Sequence, residues 1–135
     1  MADAVDTVTL LQQPNLYAVR LTNISDGTGE SAVVKVDKSA IATALGITEP
    51  SKIIVTQLYW NIQGFASVRL LFDHTTDDEL AVLCNSGYRD FTPYGGFADP
   101  ASAGGTGDIL LTTNGGASGA TYDILIEFKF SNATV

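Results

Sequence analysis

Thr121-Tyr122-Asp123-Ile124-Leu125-Ile126-Glu127-Phe128-Lys129-Phe130 is the stretch whose pattern decides the fold. Tyr122, Ile124, Ile126, Phe128 and Phe130 hold alternate positions, with Thr121, Asp123, Glu127 and Lys129 among those between, so a strand here presents one apolar and one polar face. The same period of two runs through Tyr17, Val19 and Leu21 against Ala18, Arg20 and Thr22, giving a strand at 16–23. It returns over 65–72, where Ala66, Val68, Leu70 and Phe72 alternate with Ser67 and Arg69. Val33, Val34 and Val36 predict a further strand, as do residues 80–84 and 108–113. Residues 52–62 carry Ile53, Ile54, Val55, Leu58, Tyr59, Trp60 and Ile62, apolar on both faces as in a central strand. Gly64 joins that strand to 65–72, and the flexible turn 114–119 joins 108–113 to 121–130, so two hairpins are expected. Only 40–45 favours helix, capped by Asp37 or Ser39 and closed by Gly46. Short strands spaced by Gly, Asn and Asp turns predict an all-β fold, an antiparallel β-sandwich or jelly roll with one short helix.

The 135 residues suit a single domain, and at 45% hydrophobic they supply a core. Residues 1–15 are poor in large apolar groups before Leu10 and end at the turn pair Pro14-Asn15, so they are expected as an N-terminal arm ahead of one β-sandwich domain over 16–135. Asp and Glu number 15 against 7 Lys and Arg, a net charge of -8 that argues against contact with nucleic acid or an anionic membrane surface. One Cys and one His leave no internal disulfide and no zinc site of the usual four-ligand kind. No run approaches the roughly 20 apolar residues of a membrane helix. The opening MADAVDTVTL lacks the features of a signal peptide, so synthesis in a cytoplasm is expected.

The motifs with chemical potential are few. Asp73-His74-Thr75-Thr76-Asp77-Asp78-Glu79 is the one place where carboxylates and an imidazole gather, but it lacks the spacing of an EF-hand loop, and a solvated hairpin loop is expected. His74 beside Asp73 is half of a general-base pair with no nucleophile elbow to serve. Cys84 ends an apolar run and is expected to be buried and inert. Asn23-Ile24-Ser25 and Asn132-Ala133-Thr134 match the glycosylation pattern by chance, and Gly104-Gly105-Thr106-Gly107 precedes a strand, not the helix a phosphate loop needs. Residues 25–30 read as an exposed turn. Residues 85–107 form a long loop, with one short strand near 88–91, whose aromatics Tyr88, Phe91, Tyr94 and Phe97 serve either as a binding surface or as a lid on the sandwich. No catalytic, cofactor-binding or metal site is expected, and no cofactor.

Two segments carry a resemblance: Thr22-Asn23-Ile24-Ser25-Asp26-Gly27-Thr28-Gly29-Glu30-Ser31-Ala32-Val33-Val34-Lys35-Val36-Asp37, and Gly107-Asp108-Ile109-Leu110-Leu111-Thr112-Thr113 with Ser118-Gly119-Ala120-Thr121-Tyr122-Asp123-Ile124. Together with Trp60 ahead of Gly64 and Val68-Arg69-Leu70-Leu71-Phe72, they resemble small virion structural proteins of tailed bacteriophages of the marine and cyanobacterial group. The resemblance implies a non-enzymatic capsid decoration or cement protein on the outer surface of the head. Its implied partners are the major capsid protein and copies of itself as a homotrimer, with no direct contact to nucleic acid or membrane. A tail or neck component (adaptor or knob) and a carbohydrate-binding module of an adhesin stacking sugars on Tyr88, Tyr94, Phe91 or Trp60, with calcium at 73–79, are the alternatives. The arm and the 88–97 loop are the expected contacts.

Overall fold

In a computed structural model the protein is described over residues 4–13, 16–27, 29–46, 52–100 and 104–131. Among the described residues ten strands form two antiparallel sheets that close on one core. The larger sheet holds β1 (Ala4–Gln13), β2 (Leu16–Asp26), β4 (Lys52–Gln63), β7 (Ser86–Asp90), β8 (Phe97–Ala98) and β10 (Ser118–Ser131). Its order is β1-β2-β10-β4-β7, with β8 also on β4. The smaller sheet holds β3 (Val33–Val36), β5 (Ser67–Phe72), β6 (Asp78–Leu83) and β9 (Ile109–Asn114), in the order β3-β9-β5-β6. One helix, α1 (Lys38–Leu45), follows β3. The Asp37 carboxylate accepts from the Ala40 amide at its start, and Gly46 ends it in the left-handed conformation, as the residue types at those positions predict.

The alternation of β10 does what the sequence implies. Tyr122, Ile124, Ile126, Phe128 and Phe130 are buried, beside Tyr17, Val19 and Leu21 of β2 and Ile53, Val55, Leu58 and Ile62 of β4. They face Val68, Leu70 and Phe72 of β5 and Ile109 and Leu111 of β9 across the sandwich. On β4 the register shifts at Thr56, whose hydroxyl donates to the Glu127 carbonyl (2.9 Å), so the apolar set re-enters the core after one extra residue.

Neither expected hairpin of the central and C-terminal strands forms. β4 pairs with β10, β7 and β8, whereas β5 pairs with β6 and β9. β9 pairs with β3 and β5, whereas β10 pairs with β2 and β4. Each connection is an arch from one sheet to the other. Phe65 explains the first: it is buried and packs on Tyr122 (ring centroids 6.1 Å), drawing the turn into the end of the core. Gly64 permits it, since φ is +84° and a Cβ there would lie 2.9 Å from that of Ala120. The Ala66 amide donates to the Asn114 carbonyl (2.8 Å), tying the two arches together.

The segment expected as an arm differs also. Residues 4–13 run as an edge strand along β2, from Ala4 opposite Ile24 to Gln13 opposite Leu16. An edge strand with one covered side needs few large apolar residues, which is why its composition looked like that of an arm. β2 itself extends to Asp26, three residues beyond the expected end.

Candidate functional site: a buried histidine and carboxylate cluster

The acidic connection 73–77 does join β5 to β6 as a true hairpin, and Thr75 and Thr76 are exposed as expected, but His74 is buried. The connection folds under Asp99 and residues 104–108, and the His74 side chain is only 5% exposed. The Gly107 amide donates to the Asp73 carbonyl (2.9 Å), and the Asp73 amide to that of Asp108 (2.9 Å). Asp73 Oδ2 accepts from the Thr106 hydroxyl (2.9 Å), and Asp77 Oδ1 from the His74 amide (3.0 Å). Asp108 Oδ1 takes the amide of Lys38, which fixes the start of α1 to the same corner. The glycines at 104, 105 and 107 thus close a loop over a histidine.

His74 Nδ1 lies 2.8 Å from the Gly104 carbonyl oxygen, which only accepts, so Nδ1 carries a proton. Nε2 lies 2.6 Å from Oδ1 of Asp99, whose side chain is 2% exposed, and 3.8 Å from Oδ2 of Asp78. Burial disfavours the charged imidazole, but the Gly104 carbonyl, the Asp99 carboxylate and the more distant Asp78 outweigh it, and the pKa of His74 is raised. Asp78 Oδ2 is buried and takes no hydrogen bond. Asp73, the neighbour in sequence, turns away to Thr106, and the partner of the imidazole is Asp99, 25 residues on. With both nitrogens engaged and no hydroxyl or thiol among its hydrogen-bond partners in the described residues, His74 is not placed as a general base.

The other singled-out residues lie elsewhere. Cys84 is exposed just past β6, not buried, because its apolar run ends at Leu83; its carbonyl accepts from Trp60 Nε1 (3.1 Å). Glu30, expected in an exposed turn, is buried at 7% exposure. Its Oε1 accepts from Asn23 Nδ2 (2.8 Å) and the Tyr122 hydroxyl (2.6 Å), and its Oε2 meets Lys35 Nζ at 2.5 Å. Asn23, the first sequon residue, is buried in that network. The second sequon lies outside the described residues. The first part of the expected loop 85–107 is structured more than expected: β7 spans residues 86–90, a 3-10 turn follows at Thr92–Tyr94, and β8 ends at Ala98.

The aromatics of that region divide by role. Phe91 and Phe97 pack against the core, with Phe97 stacked 6.2 Å from Phe72. Tyr94 is 82% exposed. Tyr88 pairs with Tyr59 of β4 on the outer face (centroids 4.6 Å), beside an open groove of about 360 Å³ bordered by Asn61, Ser86, Asp123 and Leu125. Among the described residues no helix is long and apolar enough to cross a membrane. Compared with protein-family models, curated proteins and solved structures, the chain shows no match.

Proposed function

We propose that this chain is a non-enzymatic structural protein of a phage particle, a decoration or cement protein on the outside of the head that binds the shell protein and further copies of itself. The observation that carries the reading is apolar exposure on one edge strand of each sheet: Val8 and Leu10 on β1, Val33 and Val34 on β3. Edge strands offer unpaired backbone groups as well, and soluble chains usually blunt them with charge. Here each edge presents side chains that gain by being covered, as docking on a shell or a neighbouring copy would do. The two segments of the phage resemblance also lie side by side. The Thr113 amide donates to the Glu30 carbonyl (3.0 Å), the Glu30 amide to the Thr113 hydroxyl (2.8 Å), and the Ala32 amide to the Thr112 hydroxyl (2.9 Å). The net charge of -8 favours a position away from packaged DNA.

Because residues 4–13 complete a sheet, removing them would expose β2, and point changes test the docking better. The double variant Val8→Lys/Leu10→Lys is expected to keep the melting temperature and to lose most of its occupancy when added back to particles that lack the protein. Full occupancy of the variant, or a label that images on the tail, overturns the reading. A carbohydrate-binding module is the second reading, favoured by the exposed Tyr59 and Tyr88 pair beside its groove. Glycan binding abolished by Tyr88→Ala, with particle occupancy unchanged, decides for it.

A further inference from the structure

We propose that His74, Asp78 and Asp99 form a binding site for one divalent transition ion, zinc above all. The three offer one ligand atom each, His74 Nε2 and a carboxylate oxygen from each Asp, and these atoms lie within 4.8 Å of one another. Tetrahedral zinc with bonds of about 2.0–2.1 Å sets its ligand atoms about 3.3 Å apart. The Nε2 to Asp99 separation of 2.6 Å and the Nε2 to Asp78 separation of 3.8 Å bracket that value, so the two contacts that share the ring nitrogen straddle the spacing zinc needs.

Three further observations point the same way. The backbone already holds the imidazole as metal sites hold it, with Nδ1 donating to the Gly104 carbonyl and Nε2 directed at the carboxylates. Asp78 Oδ2 is buried without a hydrogen bond although it faces the ring, an arrangement that a cation completes and that a folded protein otherwise avoids. Asp73, Asp77 and Asp108 belong to the same corner, against Lys38 as the ammonium there, so the local field favours an added cation.

The donor set selects the ion. An imidazole with two carboxylates suits zinc and its first-row neighbours, whereas calcium and magnesium favour oxygen ligands alone. Cys and His scarcity excludes the four-ligand structural type but not a site of three protein ligands whose fourth position is filled by water. Asp78, at 25% exposure the most open of the three, marks the side from which that water enters. Binding requires Nε2 without its proton, and where Nε2 carries one that proton leaves to solvent as the ion takes its place. The ion then fastens residues 74–78 to Asp99, independently of whether the chain serves a phage particle.

The test uses the tag-free full chain, stripped with chelator and titrated calorimetrically with zinc, then with calcium and magnesium. One zinc per chain is expected, with a melting temperature that rises with zinc concentration. Asp78→Asn is expected to weaken zinc binding by at least about tenfold while the stripped variant melts as the wild type does. Cobalt in place of zinc is expected to give the visible absorption of a low-coordinate nitrogen and oxygen site, lost in the same variant. No saturable binding at millimolar zinc overturns the proposal, as does zinc binding that Asp78→Asn and His74→Gln both leave unchanged, or a preference for calcium.

Discussion

Two buried charged clusters lie at opposite ends of β9, and they are built differently. At the Thr113 end, Glu30 and Lys35 form an ion pair in which each Glu30 oxygen is used, by Asn23, Tyr122 and Lys35. At the Ile109 end, His74, Asp99 and Asp78 gather from two loops, and one carboxylate oxygen takes no hydrogen bond. A carboxylate filled at both oxygens stabilises one arrangement of the strands around it. An unsaturated one has room for a further ligand. Burial and charge alone therefore do not mark a site; a buried carboxylate oxygen without a hydrogen bond does, whereas the oxygen in that state beside Glu30, Asn23 Oδ1, belongs to a neutral amide.

The largest effect expected from this contrast is at the saturated end. Lys35→Met leaves the Glu30 carboxylate buried without its counter-charge and is expected to cost roughly 3–5 kcal/mol. Adding Glu30→Gln removes that charge while keeping an oxygen for Asn23 and the Tyr122 hydroxyl, and most of the loss is expected to return. In metal-free protein the corresponding change at the other end, Asp78→Asn, removes no hydrogen bond at Oδ2 and is expected to cost less than about 1 kcal/mol. Urea unfolding of the four chains checks the ordering, and equal losses from Lys35→Met and Asp78→Asn would erase the distinction.

The same contrast explains what was legible beforehand. A strand buried on one face writes a period of two into its residues, so β10 and the all-β class were readable from Tyr122 to Phe130. Sheet membership was not, because an arch and a hairpin share the same alternation and differ only in where a turn residue such as Phe65 goes. The edge strand β1 hid because its exposure removes the large apolar residues that announce a strand, although Val5, Thr7, Val8 and Thr9 are β-branched. The His74 cluster was half visible. The acidic run announced the loop, but Asp99 and Gly104 lie 25 and 30 residues away, and nothing local says which carboxylate will meet the ring. Glu30 was missed for the same reason, since Lys35 alone of its side-chain partners is near enough in sequence to suggest an ion pair.

A middle-sized effect separates the site loop from an ordinary helix end. Gly105 and Gly46 share a φ of +69°, yet a Cβ on Gly105 would run into the Asp73 carbonyl and His74 backbone, whereas one on Gly46 meets nothing within 4 Å. Gly46→Ala is expected to cost only the left-handed strain, about 1 kcal/mol. Gly105→Ala adds the displacement of residues 73–74 and is expected to cost about 1–3 kcal/mol more, together with protease sensitivity between 104 and 108. If both variants unfold at the same denaturant concentration, the loop is not clamped on His74 as described.

The smallest effect is a pH dependence at the unsaturated end. The folded-state pKa of His74 is raised, since the Gly104 carbonyl and the two carboxylates outweigh the burial that opposes its charge. A raised pKa means that the folded chain holds this proton more tightly than the unfolded chain does. Its contribution to stability is therefore complete below the ordinary imidazole pKa of about 6.5 and fades as the pH climbs through the raised value. Chelator-treated protein is expected to lose stability over that window, and His74→Gln to lose the slope. An upward slope in the wild type, or an undiminished one in His74→Gln, would mean that the loops meet through some other group. Bound zinc is expected to flatten or invert the slope, because the ion then occupies the position that the proton held. The Glu30 carboxylate, filled at both oxygens, has no such place to exchange, so any influence of zinc on its pH response would have to be transmitted along β9.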